Sequence, residues 1–259
     1  MKPKFLKITF NLLFVVICTI GITKLQRQQL KTAETKITER EYFDIEKAKK
    51  AQLSILKKIP NFGFSNLIAD WSYLQFLQYF GDEKARETTG YSLSPDYFET
   101  VVNHDPRFVR AYFLLSPATS LFAGEPQKTI DLISQGLKSV SSNTSPEAYY
   151  LWIYKANDEM LFLGNTEAAK KSYEMASAWA EQSDLPTAKN SAANTKRTAK
   201  FLEDNPKSSI ARVSAWTMVL SSSPDAKTQQ KAIKNIEDLG GEIVVSPEGR
   251  INVKVPEES

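Results

Sequence analysis

The sequence predicts an all-α protein: helical hairpins stacked in series as a solenoid, preceded by an apolar segment and a basic stalk and closed by a small C-terminal β-hairpin. Two observations carry that class. Apolar residues recur at helical spacing in successive blocks, and Pro and Gly punctuate the blocks where hairpin turns belong. The composition agrees, since 259 residues with 42% hydrophobic and 24% charged can bury a core, while one His, one Cys and ten Gly are scant material for metal sites, thiol chemistry or phosphate-cradling loops. Most enzyme classes are disfavoured on that ground, and no cofactor or metal is expected.

The first element is residues 8–23, ITFNLLFVVICTIGIT, which carries no charge and follows Lys2, Lys4 and Lys7. As a helix it spans about 24 Å against a hydrocarbon core of roughly 30 Å, and Lys7 and Lys24 can snorkel to close the gap. Three fates are open: an uncleaved single-pass anchor, a signal peptide cut after the small pair Thr19 and Gly21, or a lipoprotein modified at Cys18. The small residues near the first cut are few, and Ile17 stands where lipidation wants a small residue, so the anchor is the reading adopted. The compact charged tip places the N-terminus inside, which puts the bulk of the chain on the periplasmic or lumenal side of a bacterial inner or internal membrane.

Charge is distributed unevenly. Residues 1–58 hold 13 Lys and Arg against 5 Asp and Glu, and the remainder holds 20 against 25. A nucleic-acid binder would carry its positive charge on the folded domain, so none is expected to bind. Residues 24–58, rich in Lys, Glu and Gln and free of Gly and Pro, read as a helical stalk that Pro60 and Gly63 end.

Residues 66–80, NLIADWSYLQFLQYF, are apolar on nearly every side and are expected to be buried all round. Gly81 closes that helix, the polar residues 82–90 read as a loop, and Pro95 opens a helix that stops before Asp105-Pro106. A helix from Phe108, a turn at Gly124, a helix over 126–140, a loop over 141–145, a helix from Pro146, a turn at Gly164 and a helix over 167–182 follow. Residues 186–202 and 208–219 suggest another pair and 224–239 one more helix. Alternating Ile243, Val245, Ile251, Val253 and Val255 around Pro247-Glu248-Gly249 predict the terminal hairpin. The expected organisation is an anchor over 1–23, a stalk over 24–60, repeats over 61–185, capping helices over 186–240, and the hairpin with its tail over 241–259.

A repeat emerges when the Gly turns are aligned. After Gly164 come Ala169, Tyr173 and Ala176; after Gly124 the same offsets give Thr129, Ile133 and Gly136; before Pro106 they give Ser94, Phe98 and Val101. The first set matches the small, aromatic, small spacing of a tetratricopeptide second helix, in which a small residue lets paired helices approach and an aromatic one fills the gap to the next hairpin. The first-helix signature is missing, with Ile153, Ala156, Asn157 and Met160 in its place, and Gly124 to Gly164 is longer than one standard repeat. Residues 58–135 further resemble membrane-anchored bacterial tetratricopeptide proteins through Gly63-Phe64-Ser65-Asn66-Leu67, Ala69-Asp70-Trp71, Gln78-Tyr79-Phe80-Gly81, Asp105-Pro106-Arg107-Phe108-Val109, Ala111-Tyr112 and Ala123-Gly124-Glu125-Pro126. The resemblance implies an anchor, a stalk and a helical-repeat body, and it supplies no catalytic residue.

The sequence therefore points to a membrane-anchored scaffold or assembly factor without chemistry of its own, whose partner is a protein rather than a small-molecule substrate. Its candidate binding face is the polar stripe Ser72, Gln75 and Gln78, joined on a concave side by Tyr154 and Asp158. Two other classes stay open: a structural subunit of a membrane complex, marked by large exposed apolar patches, and a carboxylate-dependent enzyme using Asp70, Asp158 or Glu159, which needs two acids converging in a cleft. His104 reads as a polar helix-end residue, and Asn143-Thr144-Ser145 as a chance sequon in a polar loop.

Overall fold

The computed structural model describes residues 13, 16, 18–24, 37–60, 62–204, 209–245 and 251–255. Its two compact units are Met1–Tyr42 and Phe43–Ser259. In the first, residues 18–24 are helical and exposed. The rest of the apolar segment, apart from Leu13 and Val16, lies outside the described residues, as do Lys2, Lys4 and Lys7. Among the described residues no helix is long and apolar enough to cross a membrane.

Helix α1 (Glu39–Leu56) begins on a capping box. The Thr38 amide donates to the Glu41 carboxylate at 2.7 Å, and the Glu41 amide donates to Thr38 Oγ1 at 3.4 Å. From Phe43 onward the helix assigned to the stalk belongs to the larger unit, where Leu53 is buried and Glu46 is drawn into a polar anchor described below.

Helix α2 (Ser65–Gly81) packs on α4 (Ser94–His104) through Ala69, Phe76 and Tyr79 on one side and Phe98 and Val101 on the other. Its expected burial on all sides is corrected: Leu67, Trp71, Leu74 and Leu77 are exposed. One neighbour covers one face, and an apolar composition does not itself supply a second. Residues 82–90 are also not a loop but helix α3 (Glu83–Thr89). Asp82 caps it by accepting the Ala85 amide at 3.3 Å, and Ala85, Arg86 and Thr89 are buried.

The helix expected from Phe108 is broken into three pieces: a 3-10 turn (Val109–Ala111), α5 (Tyr112–Ser116) and a π turn (Pro117–Phe122). Pro117 has no amide proton and cannot extend an α-helical ladder, so the chain widens there. Gly124 then turns at φ 63°, as Gly164 does further along the chain, and each supplies the left-handed conformation that a side chain would oppose.

Helices α6 (Pro126–Gly136), α7 (Tyr149–Leu161), α8 (Thr166–Ala180) and α9 (Ala188–Asp204) pack each on the next. All nine aligned repeat positions are buried. At Gly136 an added Cβ would lie 1.9 Å from the Tyr112 hydroxyl, so that small position is a real close approach.

The next pair departs from serial stacking. Helix α10 (Ser209–Ser222) pairs with α11 (Ala226–Asp238), and α10 packs back on the π turn and α7. Trp216 meets the Phe162 ring edge-on at 5.5 Å, and Ser223 Oγ donates to the Phe122 carbonyl at 3.0 Å. Strands β1 (Glu242–Val245) and β2 (Ile251–Lys254) form the antiparallel terminal hairpin, with Ile243 opposite Val253.

Candidate functional site

The predicted polar stripe does not form one open surface. Ser72 is 1% exposed, Gln75 is half-buried and Gln78 is exposed. Tyr154 is half-buried beside Phe113, with ring centroids 6.1 Å apart, and burial raises its phenol pKa above the usual value. Asp158 is 1% exposed, so it presents nothing to a partner.

The acidic candidates divide in the same way. Asp70 is exposed on α2. Asp158 accepts Ser116 Oγ at 3.0 Å and Ser120 Oγ at 2.7 Å, both from the segment that widens at Pro117. Its burial pushes the carboxyl up to about 7, against the two hydroxyl donors, and the charge of Glu159 adds to the rise. Glu159 points elsewhere, paired with Lys155 and accepting Ser172 Oγ at 2.7 Å. Neighbours in sequence thus serve two helix contacts, Asp158 bracing α7 on the π turn and Glu159 bracing it on α8. Among the described residues no group of three His, Cys, Asp or Glu is placed to hold a metal ion.

A second buried charge secures α1. The Glu46 carboxylate accepts Arg86 Nη2 at 3.0 Å, Thr89 Oγ1 at 3.0 Å and Ser92 Oγ at 3.2 Å. The Arg86 guanidinium lies 3.7 Å from the centre of the Tyr79 ring and also donates to the Gly90 carbonyl. At the other end of α1, His104 Nε2 bonds the Leu56 carbonyl at 2.8 Å and Lys57 bridges Asp96 and Glu99. His104 therefore joins two helices instead of only capping its own.

An open site lies between α8 and α9. The two helices meet through Ala180, Ala188 and Ala192 at one end and through Ala169, Tyr173, Ala199 and Leu202 at the other, and Ser177 Oγ donates across to the Ala192 carbonyl at 3.0 Å. The short side chains among these keep the axes close, so the long ones on the outer edges stand up as walls. The result is a groove of about 620 Å³ floored by Ala178 and Ala199 and rimmed by Lys170, Lys196, Arg197 and Lys200 with Glu174, Glu181 and Glu203. Lys170 of α8 and Glu203 of α9 pair across it at 2.9 Å. On the far side of Arg197 a smaller hollow of about 390 Å³ runs beside Phe201. A signal for the groove was present in the sequence: Ala188, Ala192, Thr195 and Ala199 recur at helical spacing, with Lys196, Arg197 and Lys200 beside them.

The groove has an apolar floor, both signs of charge on its rim and no imidazole or thiol. It can hold a charged peptide or helix by shape and ion pairing. Comparison with family models, with curated proteins and with solved structures found no match to the chain.

Proposed function

We infer that this chain is a membrane-tethered interaction protein, a non-catalytic scaffold of tetratricopeptide-like hairpins that binds a protein partner. The observation that carries this reading is the groove between α8 and α9, with its alanine floor and its rim of four cations and three carboxylates. The burial of the nine repeat positions supports the hairpin part, and the uncharged run at residues 8–23 supports the tether. Recognition is then the mechanism: the tether confines the groove to the membrane surface and raises its effective concentration there.

The polar face first expected to bind yields its place to this groove, because Ser72 and Asp158 are buried. The carboxylate enzyme gains no support from Asp158 and Glu159, which are turned to different partners and are engaged in packing. The test is crosslinking in native membranes with mass spectrometry, comparing the natural chain with the double variant Lys196→Glu, Lys200→Glu. Both lysines are exposed, so the fold is retained. A partner captured by the natural chain and lost from the variant supports the scaffold, and an identical set of crosslinks from both would remove the groove from the reading. The tether is tested separately in spheroplasts, where external protease is expected to reach the body while the inner membrane is intact.

A further inference from the structure

The corner at which α1 meets α2 is an unusual surface. Ile55, Ile59, Phe62, Phe64, Leu67 and Trp71 follow one another around it, and their exposures are 65%, 41%, 84%, 65%, 65% and 54%. Ile55 lies on the side of α1 away from buried Leu53, and Leu67 and Trp71 lie on the side of α2 away from buried Phe76. Phe62 holds φ at +45°, a conformation that a bulky side chain rarely adopts, and it presents its ring outward.

The charge around the corner is predominantly positive, with exposed Asp70 beside Trp71 as the one carboxylate between residues 47 and 81. From residue 47 to residue 69 there is no Asp or Glu, and there are five lysines. Lys57 is neutralised by Asp96 and Glu99 and Lys49 lies over the Tyr79 ring, which leaves Lys47, Lys50 and Lys58 exposed. Aromatic and aliphatic side chains beside exposed lysines suit the boundary between lipid headgroups and acyl chains, where rings enter and ammonium groups meet phosphate. A protein partner or a second copy of this corner would meet the same three lysines with Asp70 alone to complement them. The rim of the α8–α9 groove shows the contrast, since it carries four cations and three carboxylates.

We propose that this corner seats the helical body on an anionic bilayer, with Phe62, Phe64 and Trp71 entering the interface and Lys47, Lys50 and Lys58 facing the lipid phosphates. The contact is additional to the tether and rests on none of its residues. It holds the α1–α2 end of the body against the membrane.

The full chain with Cys18→Ser, carrying a fluorophore at Phe64→Cys, at Trp71→Cys or, as a control, at Met175→Cys on α8, is mixed with vesicles. One set is phosphatidylcholine and the other an equal mixture with phosphatidylglycerol, each containing a lipid-borne quencher. Quenching at positions 64 and 71 is expected to exceed that at 175 several-fold in the anionic vesicles. It should drop when salt shortens the Debye length from about 10 Å to about 3 Å, and in the triple variant Lys47→Glu, Lys50→Glu, Lys58→Glu. Equal quenching at all three positions overturns the proposal, as does a blue shift at 64 and 71 that depends on protein concentration and not on lipid, the mark of a protein interface. Alkaline extraction separates this result from the fate of the tether. A chain that resists extraction but shows no quenching at 64 keeps the tether and loses the corner, and one that is extracted yet quenched does the reverse.

Discussion

Between α2 and α4 the helices meet through rings, with the centroids of Phe76 and Phe98 4.5 Å apart and Tyr97 packed against Tyr79, whereas α8 and α9 meet mostly through alanines, Ala169, Ala180, Ala188, Ala192 and Ala199, with Tyr173 and Leu202 among them. The ring contact is thick and fills the interior, yet an aromatic helix still exposes the half that has no neighbour, as Trp71 and Leu74 do. The alanine contact is thin, buries little apolar area per residue, and leaves lysine and glutamate stems to build walls beside it. Surplus apolar surface in the first region and a charged groove in the second follow from the size of the side chains at the contact. The aromatic region also admits a charge into its interior, because the Tyr79 ring and the Gly90 carbonyl receive the Arg86 guanidinium.

The strongest way to break the aromatic region is to remove the carboxylate that answers that charge. Glu46→Ala leaves Arg86, 3% exposed, without its counter-ion, and costs about 3–5 kcal/mol. A surface pair such as Lys234–Asp238, whose side chains are 74% and 61% exposed, is the control: Asp238→Ala is expected to change stability by about 0.5 kcal/mol or less. Urea midpoints read the difference. Similar midpoints for the two variants would show that α1 is not held by this anchor.

The alanine region breaks by crowding. Ala169 is fully buried where α8 meets α7, and Ala178 is exposed on the groove floor. Ala169→Leu is expected to cost about 1–3 kcal/mol by overpacking, and Ala178→Leu close to nothing in stability while narrowing the groove. Thermal unfolding of both variants checks this. If Ala178→Leu were the more damaging, the alignment through Gly164 would be out of register.

How much of this was legible varies with the range of the signal. The helix after Gly124 and the two around Gly164 were, because the turn glycine and the small, aromatic, small spacing are local patterns, whereas the break at Pro117 ahead of Gly124 was not. Helix α3 was hidden by its polar residues, although Asp82 ahead of Glu83 was a capping signal; what stabilises α3 is the burial of Arg86 against Tyr79, a contact no spacing reveals. The return of α10 to the π turn was equally invisible, since Ser223 and Phe122 lie 101 residues apart. In the candidate site, Ser72 and Asp158 read as solvent-facing because they are polar, and the structure buries both. The groove residues Lys196 and Lys200 carry no motif, and what makes them a rim is the pairing of α9 with α8.

The finest test concerns a buried carboxyl on α7, next to the alanine region, whose burial keeps it protonated at acid pH. Asp158 has its carboxyl raised from 3.8 to about 7 by burial, with the hydroxyls of Ser116 and Ser120 opposing the rise. Between about pH 4 and pH 7 the folded chain therefore holds a proton at Asp158 that the unfolded chain has lost. Stability from this group is fully present below about pH 4 and is lost as pH rises through about 7, with a slope of at most about 1.4 kcal/mol per pH unit for one proton. Asp158→Asn keeps the shape and cannot ionise, so it removes that slope. Other carboxylates, among them Glu99 with its pKa lowered by Lys57 and Lys128 against its own burial, act in the opposite direction, and subtracting the variant's profile from that of the natural chain cancels them. Relative to the Asp158→Asn variant, the natural chain is expected to lose stability as pH rises above about 4, because each step up in pH makes it costlier for the folded state to keep the proton, and to level off above about 7, where the folded carboxyl ionises as well. A flat difference across that range, read from urea midpoints at a series of pH values, would mean that Asp158 is ionised in the folded protein and that its two serines fully stabilise the charge.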